Sequence, residues 1–157
     1  MSLNIAPVYA KQYIRYASTW QAATDNQAGS IGVVEIPEFS VVAQATYAGA
    51  NLVCSPGNLT SFTGAIVGVS QSYIPTALSQ PQTARQVSVA SSGSLIVEVS
   101  ASAVAAFTIG SRLSVGTDGK ALPTANSGVN VTLDGTTPLI REIVTIGRRT
   151  LVVATFN

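Results

Sequence analysis

The sequence predicts an all-β protein, either an antiparallel β-barrel or a β-sandwich of short strands, with an N-terminal arm in which the residue pattern allows a helix. Two observations support this fold class. From Ile31 onward, short runs of β-branched residues alternate with polar residues, and turn residues separate these runs at roughly 8–15-residue spacing. The length of 157 residues suits one domain that needs neither a disulfide nor a metal. We therefore expect an arm over residues 1–30 and a β domain over residues 31–157.

The arm carries a stripe of aromatic side chains. Four aromatic residues recur at spacings of four, three and four positions: Tyr9, Tyr13, Tyr16 and Trp20. This spacing places them on one face of a helix. Such a helix either packs on its own domain or docks its aromatic face on a neighbouring subunit, where aromatic residues are favoured anchors. Residues 25–30 (DNQAGS) then indicate a loop or hinge.

The first half of the β domain contains two predicted strands. Ile31–Ile36 is rich in β-branched residues and stops before Pro37, and Gly64–Ser72 alternates well enough for a strand. The segment Val41–Cys54 is ambiguous, because its alanines allow a helix and its valines a strand. A turn is predicted directly after it, at residues 55–58.

The next strands alternate more clearly. Val87 and Val89 precede the loop signal at residues 91–93, and Leu95, Val97 and Val99 follow that signal. This period-two alternation on both sides of a short polar segment predicts a hairpin. Farther on, Leu113 and Val115 lead into the strong turn signal Gly116-Thr117-Asp118-Gly119.

Two further turn signals come near the end of the chain. Val129–Leu133 alternates and reaches Asp134-Gly135, which we interpret, like Asp118-Gly119, as a hairpin turn that needs positive φ. Neither site has the repeated acidic residues of a calcium-binding loop. Ile140–Phe156 predicts a closing hairpin that turns at residues 147–149.

Composition argues against several functions. The chain has no histidine and seven acidic residues, whereas most enzymes that move protons near neutral pH use an imidazole or a tuned carboxylate. No charged residue lies between Phe39 and Ala84, and we interpret this stretch as a neutral surface for protein–protein contact, since few ions must be desolvated there. The single cysteine, Cys54, is expected to be a small buried hydrophobic residue.

Nucleic acid and membranes are not expected partners. The net charge is +1, which gives no strong attraction to nucleic acid or to anionic lipid. No apolar run reaches the roughly 18–20 residues of a membrane span, and the first residues lack the pattern of a signal peptide. We therefore expect a protein made and used in the cytosol, or in a structure assembled there. A low-charge surface also favours association, so an oligomer is expected.

Few residues suggest a site for chemistry. A serine nucleophile lacks a base, and no pair of histidines or cysteines can hold a metal. A glycosidase that works with two carboxylates stays open as an alternative, because Glu98 and Glu142 could meet in space. The basic cluster of Arg141, Arg148 and Arg149 is either a solvated turn or a contact to acidic groups of a partner.

The second half of the chain resembles a known family. The resemblance rests on Gly64–Val69, Gln86–Ala90, Gly93–Val99, Ile109–Ala121 and the closing hairpin Ile140–Phe156. The segment IGSRLSVGTDGKALPT, followed by a polar stretch and a final hairpin, is similar to one in the capsid decoration (cement) proteins of tailed bacteriophages. It covers about Gly64 to Asn157, and the first 60 residues match nothing that can be named.

The resemblance implies an all-β structural protein without catalysis or cofactor. It implies a homotrimer on the capsid exterior, assembled in the host bacterial cytoplasm, that binds the major capsid protein and no small-molecule substrate. An N-terminal arm would reach across capsomer boundaries, and we expect Tyr9, Tyr13, Tyr16 and Trp20 to anchor contacts between subunits. The alternatives are a virion or cell-surface fibre or adhesin module, which binds a receptor or glycan, and a histidine-free enzyme.

Overall fold

The computed structural model describes residues 11–22, 35–44, 52–56, 65–74, 86–126 and 128–157. In these residues it contains ten β-strands and no α-helix, so the predicted all-β class is confirmed. The strands are β1 (Tyr13–Ala22), β2 (Val41–Gln44), β3 (Leu52–Cys54), β4 (Ile66–Ser70), β5 (Gln86–Glu98), β6 (Ser114–Val115), β7 (Ala121–Leu122), β8 (Val129–Asn130), β9 (Leu139–Ile146) and β10 (Arg149–Phe156).

Seven strands form the main sheet, in the order β1-β3-β2-β4-β5-β10-β9. β1 also pairs with β5, from Tyr13 opposite Ser94 to Gln21 opposite Gln86. This extra pairing closes β1, β3, β2, β4 and β5 into a ring. The pairings are antiparallel except that of β1 with β3, which is parallel. The β9–β10 hairpin extends the sheet from the second half of β5.

A first cluster of buried residues fills the ring. It contains side chains from four of the five ring strands and from the neighbouring segments: Ala22, Ile36, Val42, Val53, Cys54, Ile74, Val87 and Val89. Val87 and Val89 alternate with exposed Gln86 and Ser88, as a strand with one covered face requires. The half-buried Trp20 packs against this cluster. The C-terminal end of β1 therefore belongs to the body of the protein.

A second and larger cluster lies against a small sheet of β7, β6 and β8. It joins Leu95 and Val97 of β5 to Leu113 and Val115, and it also includes Phe156 of β10. The turn between β6 and β7 reaches the main sheet, because the Gly119 carbonyl accepts a hydrogen bond of 2.8 Å from the Val41 amide. The small sheet is therefore fastened to the ring by backbone as well as by side chains.

The opposite face of β5 and β10 holds a third cluster. Phe39, Ile96, Leu151 and Val153 are each at most 4% exposed there. Val144 and Ile146 of β9 pack against them. β5 is thus covered on both faces in its second half, which explains its unbroken apolar run at residues 95–97.

Two predictions of secondary structure are wrong. Tyr13–Ala22 is a strand and not the predicted helix, because β5 offers a long edge with which it pairs; Tyr9 lies outside the described residues. The hairpin predicted around residues 91–93 is also absent, because Gln86–Glu98 runs as one strand. Gly93 does not reverse the chain there; it has φ 121° and lets the backbone of Tyr13 approach. A side chain at Gly93 would place its Cβ 2.0 Å from the Tyr13 carbonyl oxygen.

The charge-free stretch was also misinterpreted. Most of its described residues are buried, including Phe39–Ala43, Val53–Pro56 and Gly68–Ser70. They are strands of the ring and their flanks, so charges are missing there because the side chains face the core. The expectation of one long neutral contact surface over residues 39–84 is therefore wrong for the described part.

Other predictions are confirmed, and one open question is decided. The closing hairpin forms from β9 and β10. The segment Val41–Cys54, for which the sequence allows a helix or a strand, is strand at both described ends, as β2 and β3. Gly119, Asp134 and Gly135 have φ values of 77°, 50° and 79°, which confirms both turns that need positive φ. The predicted strands at 31–36 and 64–72 are described only in part, as a bridge from Ile36 to Ile74 and as β4. The division into an arm and a β domain at residue 30 stays a prediction.

Candidate interaction surface

The N-terminal half of β1 is the most exposed strand segment in the described residues. Tyr13, Ile14 and Tyr16 are 66%, 41% and 61% exposed, whereas Ala22 at the other end of the strand is 7% exposed. One edge of this half pairs with β5, and the pairing with β3 begins only at Gln21. Within the described residues, the other edge of Tyr13–Trp20 has no strand partner. Over residues 13–17, the described part of the protein therefore leaves both faces and one edge of the strand open.

A β-bulge explains the helix-like aromatic spacing. Tyr13 lies opposite Ser94 and Tyr16 opposite Ser92, with a register shift at Arg15. Directly paired residues point to the same side of a sheet, and Ser92 and Ser94 are two residues apart. Tyr13 and Tyr16 therefore share one face although they are three residues apart. The bulge reproduces in a strand the three-residue spacing that is typical of a helix.

The predicted aromatic anchors separate into two groups. A second register shift follows between Tyr16 and Ala17, and beyond it Ser18 and Trp20 pair with Val89 and Val87 of β5. Trp20 is only partly exposed, packs against the ring cluster and donates a hydrogen bond of 2.8 Å from Nε1 to Ser18 Oγ. The side chains of Tyr13 and Tyr16 form no hydrogen bond or ring contact with the described residues. Two of the predicted anchors therefore face solvent, and a third stabilises the body.

Residues just before β1 cross the sheet. Gln12 accepts a hydrogen bond of 3.0 Å from the Ile96 amide and donates one of 2.8 Å to Gln71 Oε1. Lys11 Nζ lies 2.9 Å from Glu142 Oε1 of β9. These contacts fix the start of β1, so the exposed tyrosines project from a strand that is held at both ends.

The predicted basic cluster does not form one patch. Arg149 donates to Glu98 Oε2 at 2.8 Å, lies 3.9 Å from Glu38 and stands over the Phe39 ring at 5.9 Å from its centroid. Arg141 Nε donates to Thr155 Oγ1 at 3.3 Å. Arg148 is exposed at the tip of the β9–β10 hairpin and has no partner among the described residues. Arg149 thus has partners in its own chain, whereas Arg148 is available to an outside group.

A second exposed apolar segment was missed by sequence reasoning. The loop between β5 and β6 exposes Val104 and Ile109 at 89% and 54%. Its ends are held by a hydrogen bond from the Ala103 amide to Ser100 and one from the Gly110 amide to Ile140. The signal in the sequence is the absence of charge over residues 99–111, a run that includes two valines, an isoleucine and a phenylalanine.

Two groups have shifted pKa values. Burial raises the pKa of Cys54 from 9.0 to about 11. This thiol is buried in the ring, which confirms its expected place in the core. The hydrogen bond of 2.8 Å from the Tyr73 hydroxyl to Glu35 Oε2 is the main cause of a raised pKa at Tyr73. Glu35 has this contact to Tyr73, whereas Glu98 and Glu38 share Arg149, whose Nη2 lies 2.8 and 3.9 Å from their carboxylate oxygens.

The described residues contain no group of three or more histidine, cysteine, aspartate or glutamate side chains that could hold a metal ion. No helix in the described segments is long and apolar enough to cross a membrane. In comparisons with known proteins, no family model, no curated protein and no solved structure matches the chain.

Proposed function

We propose that this protein is a structural capsid decoration protein, which binds the exterior of a bacteriophage head as a trimer and bridges neighbouring major capsid protein subunits. The resemblance of Gly64–Asn157 to cement proteins of tailed phages first suggests this role. The observation that carries it in the structure is the projecting pair Tyr13 and Tyr16, which are more than half exposed on a strand otherwise held by the protein body. Solvent-facing aromatic residues on a fixed backbone are suited to contact with another protein.

The mechanism is bridging through several weak contacts. A trimer that touches several shell subunits makes each later contact nearly intramolecular, so that avidity exceeds single-site affinity by roughly 10²–10⁴. The exposed loop segment around Val104 and Ile109 adds apolar surface without charge. Burial of such surface requires little desolvation of ions. No catalytic step and no cofactor are needed for this role.

Binding to heads tests the proposal. Purified protein is mixed with bare, expanded heads built from the cognate major capsid protein, and the complexes are imaged by electron cryomicroscopy. We expect saturable binding at ordered lattice positions with a fixed ratio to the shell subunits. The double variant Tyr13→Ser/Tyr16→Ser should bind less, whereas Tyr73→Ser, which changes a tyrosine that is 55% exposed elsewhere, should bind like the original chain. Absence of ordered binding by the unaltered chain contradicts the proposal.

The same tyrosines support a second candidate, a virion or cell-surface module that binds a receptor or glycan. Exposed aromatic rings are common platforms for sugars and for receptor side chains. Screening the protein against a glycan array and against bare heads in parallel separates the two functions. Selective glycan binding that is lost in the Tyr13→Ser/Tyr16→Ser variant, without binding to heads, would favour the adhesin-type module.

A further inference from the structure

The exposed start of β1 also points to a specific contact between copies. We propose that the β1 patch, defined as Tyr13–Tyr16, binds the Asp134-Gly135 turn of a second copy of this chain, with Arg15 facing Asp134. This inference rests on the proposed function, because it names the contact by which the trimer closes. A closed trimer needs a heterologous interface, in which two different surfaces of the same chain are complementary.

The first surface is a fixed, open patch. The bulge at Arg15 places Tyr13 and Tyr16 on one face, opposite Ser94 and Ser92. Arg15 itself is exposed and forms no hydrogen bond or ion pair with the described residues. Within the described residues, the patch therefore offers two aromatic rings, a cation and a backbone edge without a strand partner, all within four consecutive residues. An acidic, narrow partner fits this combination.

The second surface is a projecting turn. Leu133 and Thr136 exchange two backbone hydrogen bonds of 2.9 and 3.0 Å, which leaves Asp134 and Gly135 at the apex. A Cβ built on Gly135 would meet nothing within 4 Å. The apex therefore projects into solvent and is small enough to approach an aromatic pair closely.

Charge complementarity selects this turn as the partner. Five of the six acidic side chains in the described residues have a contact within the chain: Glu35 with Tyr73, Glu38 and Glu98 with Arg149, Asp118 with the Lys120 amide, and Glu142 with Lys11. Asp134 is the exception, and it is exposed. Among the described residues, it is thus the acid that remains free to pair with Arg15 of another copy.

Charge reversal tests the contact in the full-length chain. The oligomeric state is measured by sedimentation velocity and light scattering over a range of concentrations. Arg15→Glu and Asp134→Lys should each raise the dissociation concentration of the oligomer about tenfold or more, because like charges then meet in the interface. The double variant Arg15→Glu/Asp134→Lys should recover most of the association, since the pair is restored with opposite polarity.

Matched variants separate a lost contact from a lost fold. Arg15→Lys keeps the charge and should associate like the original chain, and Arg148→Glu changes another exposed arginine and should also have no effect. Asp134→Asn keeps a residue type that tolerates positive φ and should weaken association without disturbing the turn. Circular dichroism shows whether each variant keeps its strands.

Three results would overturn the inference: unchanged association in both single reversals, a double variant no better than the single ones, or a chain that stays monomeric at all concentrations. Binding to heads is measured on the same samples. If the reversals reduce binding to heads but leave the oligomer intact, the patch faces the shell protein, and this inference is wrong while the proposed function stands. If a monomeric chain still binds heads at ordered lattice positions, the decoration role likewise stands without this contact.

Discussion

Single residues hold the two sheets together at points where a side chain has no room. Gly119 has φ 77°, and a Cβ built on it would lie 2.2 Å from the Val41 carbonyl oxygen. Gly135 has nearly the same φ, 79°, but its Cβ would meet nothing. Substitutions at the two glycines therefore distinguish the free-energy cost of a positive φ from the cost of a steric clash with neighbouring backbone.

Substitution of these glycines should have unequal effects on stability. Gly119→Ala should lower the free energy of unfolding by about 3 kcal/mol, because the small sheet must move away from β2. Gly135→Ala should lower the free energy of unfolding by only about 1 kcal/mol, the usual penalty for an alanine in the left-handed backbone conformation. Urea unfolding followed by circular dichroism measures both values. Equal losses would show that the contact with Val41 contributes nothing.

Tyr73 provides a prediction about pH. Its hydroxyl donates to Glu35, and this hydrogen bond, with smaller effects of desolvation and of the carboxylate charge, raises the pKa of the phenol. A folded-state pKa above the unfolded value means that the contact stabilises the protein at lower pH and is lost as the pH rises through the folded-state pKa. The contact should therefore be complete near neutral pH and disappear only in alkali.

Removal of the carboxylate should lower this pKa. Glu35→Gln should shift the titration of Tyr73 towards the ordinary tyrosine value, because a neutral amide no longer disfavours the phenolate. NMR of tyrosine labelled with ¹³C at Cζ follows the titration. Glu142→Gln, which removes an exposed carboxylate with a different partner, should leave it unchanged. An unaltered titration in Glu35→Gln would mean that the hydrogen bond does not persist in solution.

At the scale of the elements, sequence patterns identified strands better than they identified how the strands connect. The turns at Gly119 and Asp134-Gly135 could be predicted, because positive φ restricts the residue choice at those positions. The hairpin at residues 91–93 was wrong because a polar segment with a glycine also suits an irregular strand, and neighbours outside the segment decide between the two. β5 pairs with β1 on one side and with β4 and β10 on the other, which holds it extended.

The helix predicted for β1 failed for a related reason. A bulge gives strand residues a three-residue spacing on one face, so the periods of helix and strand become indistinguishable in a short segment. Tyr13 and Tyr16 nevertheless share a face, because the bulge lies between them. The sequence could not show that Trp20 packs into the ring whereas the tyrosines face solvent, because that depends on where β1 leaves the body.

Two adjacent arginines of the β9–β10 hairpin have different roles. Arg149 forms ion pairs with Glu98 and Glu38, whereas Arg148 is exposed and has no partner among the described residues. Arg149→Ala should lower the free energy of unfolding by about 1 kcal/mol, since its side chain is 40% exposed and the ion pairs are partly screened. Arg148→Ala should change stability by less than about 0.5 kcal/mol. Thermal unfolding checks both, and a larger loss for Arg148 would contradict these roles.

At the scale of the whole molecule, the proposed role predicts protection of heads against heat. Heads saturated with the protein should withstand a higher temperature than bare heads, because each bound trimer links several shell subunits. Arg15→Glu should protect less at equal occupancy, since a dissociated chain makes fewer links. Release of packaged DNA, detected with an intercalating dye during heating, measures the effect. Equal stability of bare and saturated heads would argue against bridging.

The sequence by itself determined the fold class, the closing hairpin and the positions of the glycine turns, because strand alternation and positive φ are properties of a few neighbouring residues. The tertiary structure alone decided that β5 is continuous, that β1 closes a ring, and that the charge-free stretch is largely core. It also decided which aromatic and basic side chains remain available to a partner. These features arise from contacts between residues far apart in the chain, and a local pattern carries no information about which distant strand will cover it.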